Sequence, residues 1–157
     1  MYSIGDKVTH PMHGAGVISD IIEKTINGVT NKYYILKLPN NDMLVMIPVN
    51  TSDEIGVRPV MDVEHADAII FAIKDMVIEC DKNWSRRYRE NMVKLKSGDL
   101  MQVAQVIKSL ANREKERGLS TGERRMLNSA KQIFISEIVL AKSCDYEEAE
   151  RLLNAAV

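Results

Sequence analysis

Cysteine is scarce in this chain of 157 residues: there are two, Cys80 and Cys144. They share no CxxC spacing, which excludes a disulfide framework and a thiolate zinc site and fits free thiols in a reducing compartment. Aromatic residues are few, at 5%, and only one is a tryptophan. No apolar run approaches the length of a membrane span, and the opening MYSIGDKVTH has no signal-peptide core. The expected location is therefore the cytoplasm, with no membrane partner. A Gly-rich phosphate loop and a nucleophile elbow are both missing, so nothing points to an enzyme, a cofactor or a small-molecule substrate. His10 and His13 have metal-ligand spacing at i, i+3, but no third ligand accompanies them and a turn between strands is a poor platform. An enzyme built on that pair is a rival reading that metal analysis of the purified protein would decide. His65 lies in an acidic, polar stretch and is expected at the surface. Cys144 precedes a helix start, which lowers a thiol pKa, but Asp145, Glu147 and Glu148 beside it oppose that.

A strong charge of either sign is also missing. The net charge is −1, which by itself argues against a generic nucleic-acid binder. The average conceals a segregation. Residues 82–131 carry thirteen Lys and Arg against five Asp and Glu, whereas residues 63–81 hold one against five and residues 132–157 two against five. A basic block sits between acidic ones.

The first sixty or so residues have the period of strands. KVTH stops at Pro11, and HPMHGAG is a turn region. GVISDIIEKTI is rich in β-branched residues and leads into Asn27-Gly28, the pair that a type I′ hairpin turn selects because both central positions need positive φ. KYYILKL returns, PNND turns again at residues 39–42, and MLVMIPV forms a fourth strand that Pro48 confines to an edge or an end. GVRPV supplies a fifth. Short strands with tight turns predict a small antiparallel barrel.

After Met61 the apolar period changes from two to 3.6. Asp62 or Asp67 can cap a helix carrying Ile69, Ile70, Ile73 and Val77. Asn83 caps a second, which ends near Ser97-Gly98. Asp99 caps a third, lined by Leu100, Val103, Ala104, Ile107 and Leu110 and stopped by Gly118. Ser120-Thr-Gly-Glu123 is a capping box for a fourth, apolar on much of its circumference from Leu127 to Val139, and so the expected centre of a bundle. Asp145 opens a last short helix. The fold class is thus α+β, with a barrel over residues 1–62 and an all-α bundle over 63–157.

The stretch NWSRRYRENMVKLKSGD joins the lone tryptophan to the basic block. At 100° per residue, Trp84, Tyr88, Asn91, Met92 and Leu95 share one face, and Arg86, Arg89, Glu90, Lys94 and Lys96 occupy the rest. Two arrangements satisfy this pattern. Trp84 opens a core stripe and the arginines are solvated; or Trp84, placed directly after the cap, projects past the bundle. The basic excess continues through Arg113, Lys115, Arg117, Arg124, Arg125 and Lys131. Cations that hold phosphates beside an apolar wedge suit duplex DNA.

Four stretches in order, GDKVTHPMHGAGVI, IPV…GVRPV, NWSRRYRENMVKLKSGD and RGLSTGERRMLNSAKQI, resemble the CarD (CarD/CdnL-like) family of bacterial transcription regulators across nearly the whole chain. The first alone is less specific, because a similar module occurs in transcription-repair coupling factors. The resemblance implies a Tudor-like barrel that binds the β subunit of RNA polymerase. It also implies a helical domain that binds promoter DNA without base-specific readout and stabilises the open complex. The residue matching Trp84 would wedge into the minor groove at the upstream edge of the bubble. Arg86, Arg87, Arg89, Arg124 and Arg125 are then expected at the DNA backbone, and Lys24, Met46 and Pro48 at the polymerase. Met46 stands where some relatives have a basic residue, which makes that surface less electrostatic here. A protein–protein adaptor with two interaction domains and no DNA contact is the other reading, and salt-dependent DNA binding separates the two.

Overall fold

The computed structural model describes residues 1–39, 43–79 and 81–157. Five strands come first: β1 (Lys7–His10), β2 (Gly14–Ile26), β3 (Val29–Lys37), β4 (Leu44–Pro48) and, after the short helix α1 (Ser52–Ile55), β5 (Arg58–Pro59). They form one antiparallel sheet in the order β4-β3-β2-β1-β5. Asn27 and Gly28 turn the β2–β3 hairpin with φ of 52° and 78°, the pair of positive angles that the type I′ turn requires. The register shifts between Ile18 and Asp20, a bulge that increases the local bend. The sheet curls so far that Ile47 of β4 and Val57 beside β5, from opposite ends of the strand order, join Val8, Ile18, Tyr34 and Leu36 in one buried cluster. This is the small Tudor-like barrel, followed by helices. The Tyr34 hydroxyl, deep in that core, accepts a 2.9 Å hydrogen bond from the Tyr2 N–H, which satisfies its oxygen.

The helices are α2 (Val63–Lys74), α3 (Trp84–Lys96), α4 (Leu100–Arg117), α5 (Thr121–Lys142) and α6 (Tyr146–Ala156). Each begins where a short polar side chain accepts a backbone N–H of its first turn: Asp62 from His65, Asn83 from Arg86, Asp99 from Met101, Ser120 from Glu123 and Asp145 from Glu148. Such caps contribute about 1 kcal/mol each. α5 is buried over most of its length, and Met126, Leu127, Ala130, Phe134, Ile135 and Ile138 join a second cluster with residues of α2, α3, α4 and α6.

Three expectations differ in detail. α2 stops at Lys74, where the Met76 N–H turns back to the Ile73 carbonyl, so Val77 is exposed instead of extending the apolar stripe. Glu123 does not use its carboxylate in the manner of a simple capping box; it points into the protein. α1 has no apolar periodicity to announce it. Residues 40–42 of the expected turn at 39–42, and the thiol of Cys80, lie outside the described residues.

Barrel and bundle meet along β2 and α5. The Ala15 N–H donates to Ser136 Oγ at 2.9 Å, and that hydroxyl donates to the Ile133 carbonyl. A Cβ on Gly14 would lie 2.5 Å from Ser136 Oγ, and Gly14 has a φ of +92°, so only glycine permits this approach. Arg58 donates to both carboxylate oxygens of Glu137, at 2.7 and 2.8 Å, and through Nε to the Gly98 carbonyl at 2.9 Å. The Met61 N–H completes the carboxylate's partners at 3.1 Å. Glu137 is buried, so its charge is tolerated only because of this set.

Candidate nucleic-acid interface

The Asn83 cap makes Trp84 the first residue of α3. Its indole stacks on Tyr88 one turn later, with ring centroids 5.1 Å apart and planes 21° from parallel. Its Nε1–H donates to Ser120 Oγ, the cap of α5, at 3.1 Å. Gly122 lies beneath the stack: a Cβ there would sit 3.5 Å from Tyr88 and 3.9 Å from Trp84. The residue is nevertheless 46% exposed. Of the two sequence arrangements, a fully buried core tryptophan is therefore excluded, and one face of the indole is supported while the rest meets solvent.

The starts of α3 and α5 thus come together at Trp84. Their unpaired first-turn N–H groups and the helix dipoles add positive potential to the side chains around them. Arg86 on α3 and Arg124 on α5 are well exposed and make only long ion pairs, 3.4 Å to Asp81 and 3.8 Å to Glu114. Arg89 and Arg125 are exposed as well. Four of the five expected arginines are therefore free to meet an anion.

Arg87 is the correction. It is 2% exposed, and its guanidinium donates through Nε and Nη2 to Glu123, at 2.9 and 3.3 Å, and through Nη1 to the Asp81 carbonyl at 3.0 Å. It has no surface to offer a phosphate. Burial pushes the Glu123 carboxyl up, but the hydrogen bonds and charge of Arg87, the Ser120 hydroxyl and the Arg113 guanidinium outweigh this and hold it below the usual glutamate value. The sequence carried a signal: Arg87 lies three residues after Trp84 and four before Asn91, inside the apolar arc, and its charge alone argued for solvent.

On the barrel, side chains alternate between faces. Tyr34, Leu36 and Ile47 point inward, so their neighbours point out. Met46 lies opposite Ile35 and Pro48 opposite Tyr33, which puts both on one outward face with Ile22 and Leu44. Lys24, opposite Asn31, shares that face but stands farther along the hairpin, since Asn31 and Ile35 are separated by about 13 Å of β3. β4 is an edge of the sheet, and Leu44 and Met46 on it are exposed.

The histidines bond close to home. His10 Nδ1 accepts the Met12 N–H at 3.1 Å, closing the turn, and the His10 and His13 rings sit 4.7 Å apart. Burial, then the neighbouring His13, lowers the His10 pKa. No cluster of three His, Cys, Asp or Glu occurs among the described residues. His65 is exposed and pairs with Asp62. Burial, reinforced by Glu148 and Asp145, pushes the Cys144 thiol up, away from reactivity. No helix of the described residues is long and apolar enough to cross a membrane.

Two family models match in succession: the CarD-like/TRCF RID domain over residues 2–61 and the CarD C-terminal domain over residues 68–154. The chain is also 33% identical over 142 residues to "Putative transcription factor YdeB" of Bacillus subtilis (strain 168), covering 90% of this chain and 93% of that protein. With both halves matched in order around the same barrel and bundle, the chain belongs to the CarD family.

Proposed function

We propose that this protein is a transcription regulator with no catalytic activity. Its barrel, residues 1–62, docks on the β subunit of RNA polymerase, and its helical part, residues 63–157, holds promoter DNA and stabilises the open complex. The half-exposed indole of Trp84 carries this reading. A large apolar ring kept in water at the meeting of two helix starts, with Arg86, Arg89, Arg124 and Arg125 on the same two helices, has the form of a minor-groove wedge among phosphate contacts. Unstacking a base step costs a few kcal/mol, and an inserted ring offsets that cost by filling the gap. Backbone contacts of this kind carry no base-specific readout. The family match and the name of the Bacillus relative support the transcriptional role. The outward apolar face with Lys24, Met46 and Pro48, beside the β4 edge, supports a docking surface to which a partner strand can be added.

The test is Trp84→Ala. The lifetime of the polymerase–promoter open complex should shorten while polymerase binding survives. A fully buried tryptophan cut to alanine costs about 3–5 kcal/mol, and this half-exposed one should cost clearly less in thermal unfolding. Salt-independent or absent DNA binding by the wild-type protein would instead favour the adaptor reading.

A further inference from the structure

The Trp84 indole is held by a closed ring of side chains that neither helix makes alone. Ser120 Oγ accepts the indole N–H at 3.1 Å and the Glu123 backbone N–H at 3.2 Å, and donates its own proton to Glu123 Oε1 at 3.2 Å. One donor and two acceptor positions are thereby all in use, so the hydroxyl cannot rotate away without losing a partner. Glu123 is in turn fixed by Arg87, and Arg87 rises from α3, the helix that carries Trp84. The two helix starts are therefore tied twice, by indole to hydroxyl at the surface and by guanidinium to carboxylate beneath it.

We propose that Ser120 is a positioning residue for Trp84. Its hydroxyl, aimed by Glu123, which Arg87 holds, sets the plane of the indole against Tyr88 before DNA arrives. This rests on the wedge reading and deepens it. An indole exposed on one side and attached through two rotatable bonds samples several rotamers in water. Ordering a side chain on binding is costly, and the Ser120 bond meets that cost during folding. The same ring gives buried Arg87 a part in DNA binding with no contact to DNA: it acts through Glu123 and Ser120.

Trp84 is the only tryptophan, so its fluorescence reports this one side chain. The experiment compares Ser120→Gly and Ser120→Thr in the full-length protein. Glycine caps a helix nearly as well as serine but offers the indole no acceptor, while threonine keeps the hydroxyl. Time-resolved anisotropy of the free protein should show a larger fast component in Ser120→Gly and a wild-type trace in Ser120→Thr. The open complex formed with Ser120→Gly should dissociate about two- to tenfold faster, the equivalent of ordering one side chain, with Ser120→Thr restoring it. In a Trp84→Phe background, which has no indole N–H, Ser120→Gly should have no further effect. Unchanged anisotropy in Ser120→Gly overturns the proposal, as does a threonine variant as mobile as the glycine one. If Trp84→Ala itself leaves open-complex lifetime untouched, the wedge reading fails, and the anisotropy result still decides whether Ser120 positions the ring.

Discussion

Two adjacent arginines, Arg86 and Arg87, have opposite fates. Arg86 has most of its side chain in solvent, and Arg87 is enclosed against Glu123. Charge reversal should separate them. Arg86→Glu and Arg124→Glu should leave stability within about 0.5 kcal/mol, since exposed pairs contribute little, while weakening binding to unrelated DNA duplexes and lowering the salt slope by about one for each lost phosphate contact. Arg87→Ala should cost about 3–5 kcal/mol, because it strands a buried carboxylate. Urea unfolding and salt-dependent DNA binding on the same three variants check this. Acid should act on the same pair. The Glu123 carboxyl is depressed in the folded protein, so its contribution is full above its ordinary value of 4.5 and is lost as pH falls through the lower folded value. The fall in unfolding free energy on acidification below that point should be shallower in Glu123→Gln than in the wild type. Helix phase and capping left two arrangements of Trp84 open, and the five arginines were expected at DNA only through the family resemblance; the structure exposes Trp84 and four of those arginines. Arg87 differs because its place in the helix phase, inside the apolar arc, outweighs its charge.

At the level of elements, the parts legible in the sequence are those set by local chemistry. Asn27-Gly28 fixed a hairpin because its neighbours in the chain are also its neighbours in space, and the five helix caps act within three residues of themselves. The joint between barrel and bundle was hidden for the opposite reason. Arg58 and Glu137 are 79 residues apart, and although Glu137 stands in the apolar stretch of α5, nothing near it in the chain says which cation meets it. Gly14 is the element-level test of that joint. Gly14→Ala should cost about 1–3 kcal/mol from the positive φ alone, and more if Ser136 cannot shift. Thermal unfolding should show it as a loss of several degrees. Gly28→Ala makes the control: it shares the positive φ, but nothing lies within 4 Å of the added methyl, so the difference between the two reports the crowding of Gly14 against Ser136 and the Ile133 backbone of α5.

For the whole molecule, the buried Glu137 joins two separate apolar clusters, one in the barrel and one in the bundle. With the joint intact, calorimetry should show one cooperative transition. Glu137→Ala removes the acceptor of both Arg58 and Met61 and should split that transition, with the calorimetric enthalpy exceeding the van't Hoff value. A single transition at lower temperature would show that β2 and α5 alone keep the halves together. The arrangement of strands has a consequence for self-association too. Of the sheet's two borders, β5 is two residues long, contains Pro59 with no N–H, and sends Arg58 into the helices, so it is a poor acceptor of another strand. β4 is the longer border. Copies that pair through β4 use the same strand from each side, a two-fold pair that covers both β4 edges at once. A partner strand seated on β4 therefore competes directly with self-pairing there. Sedimentation velocity over a concentration series should show a dimer as the first associated species.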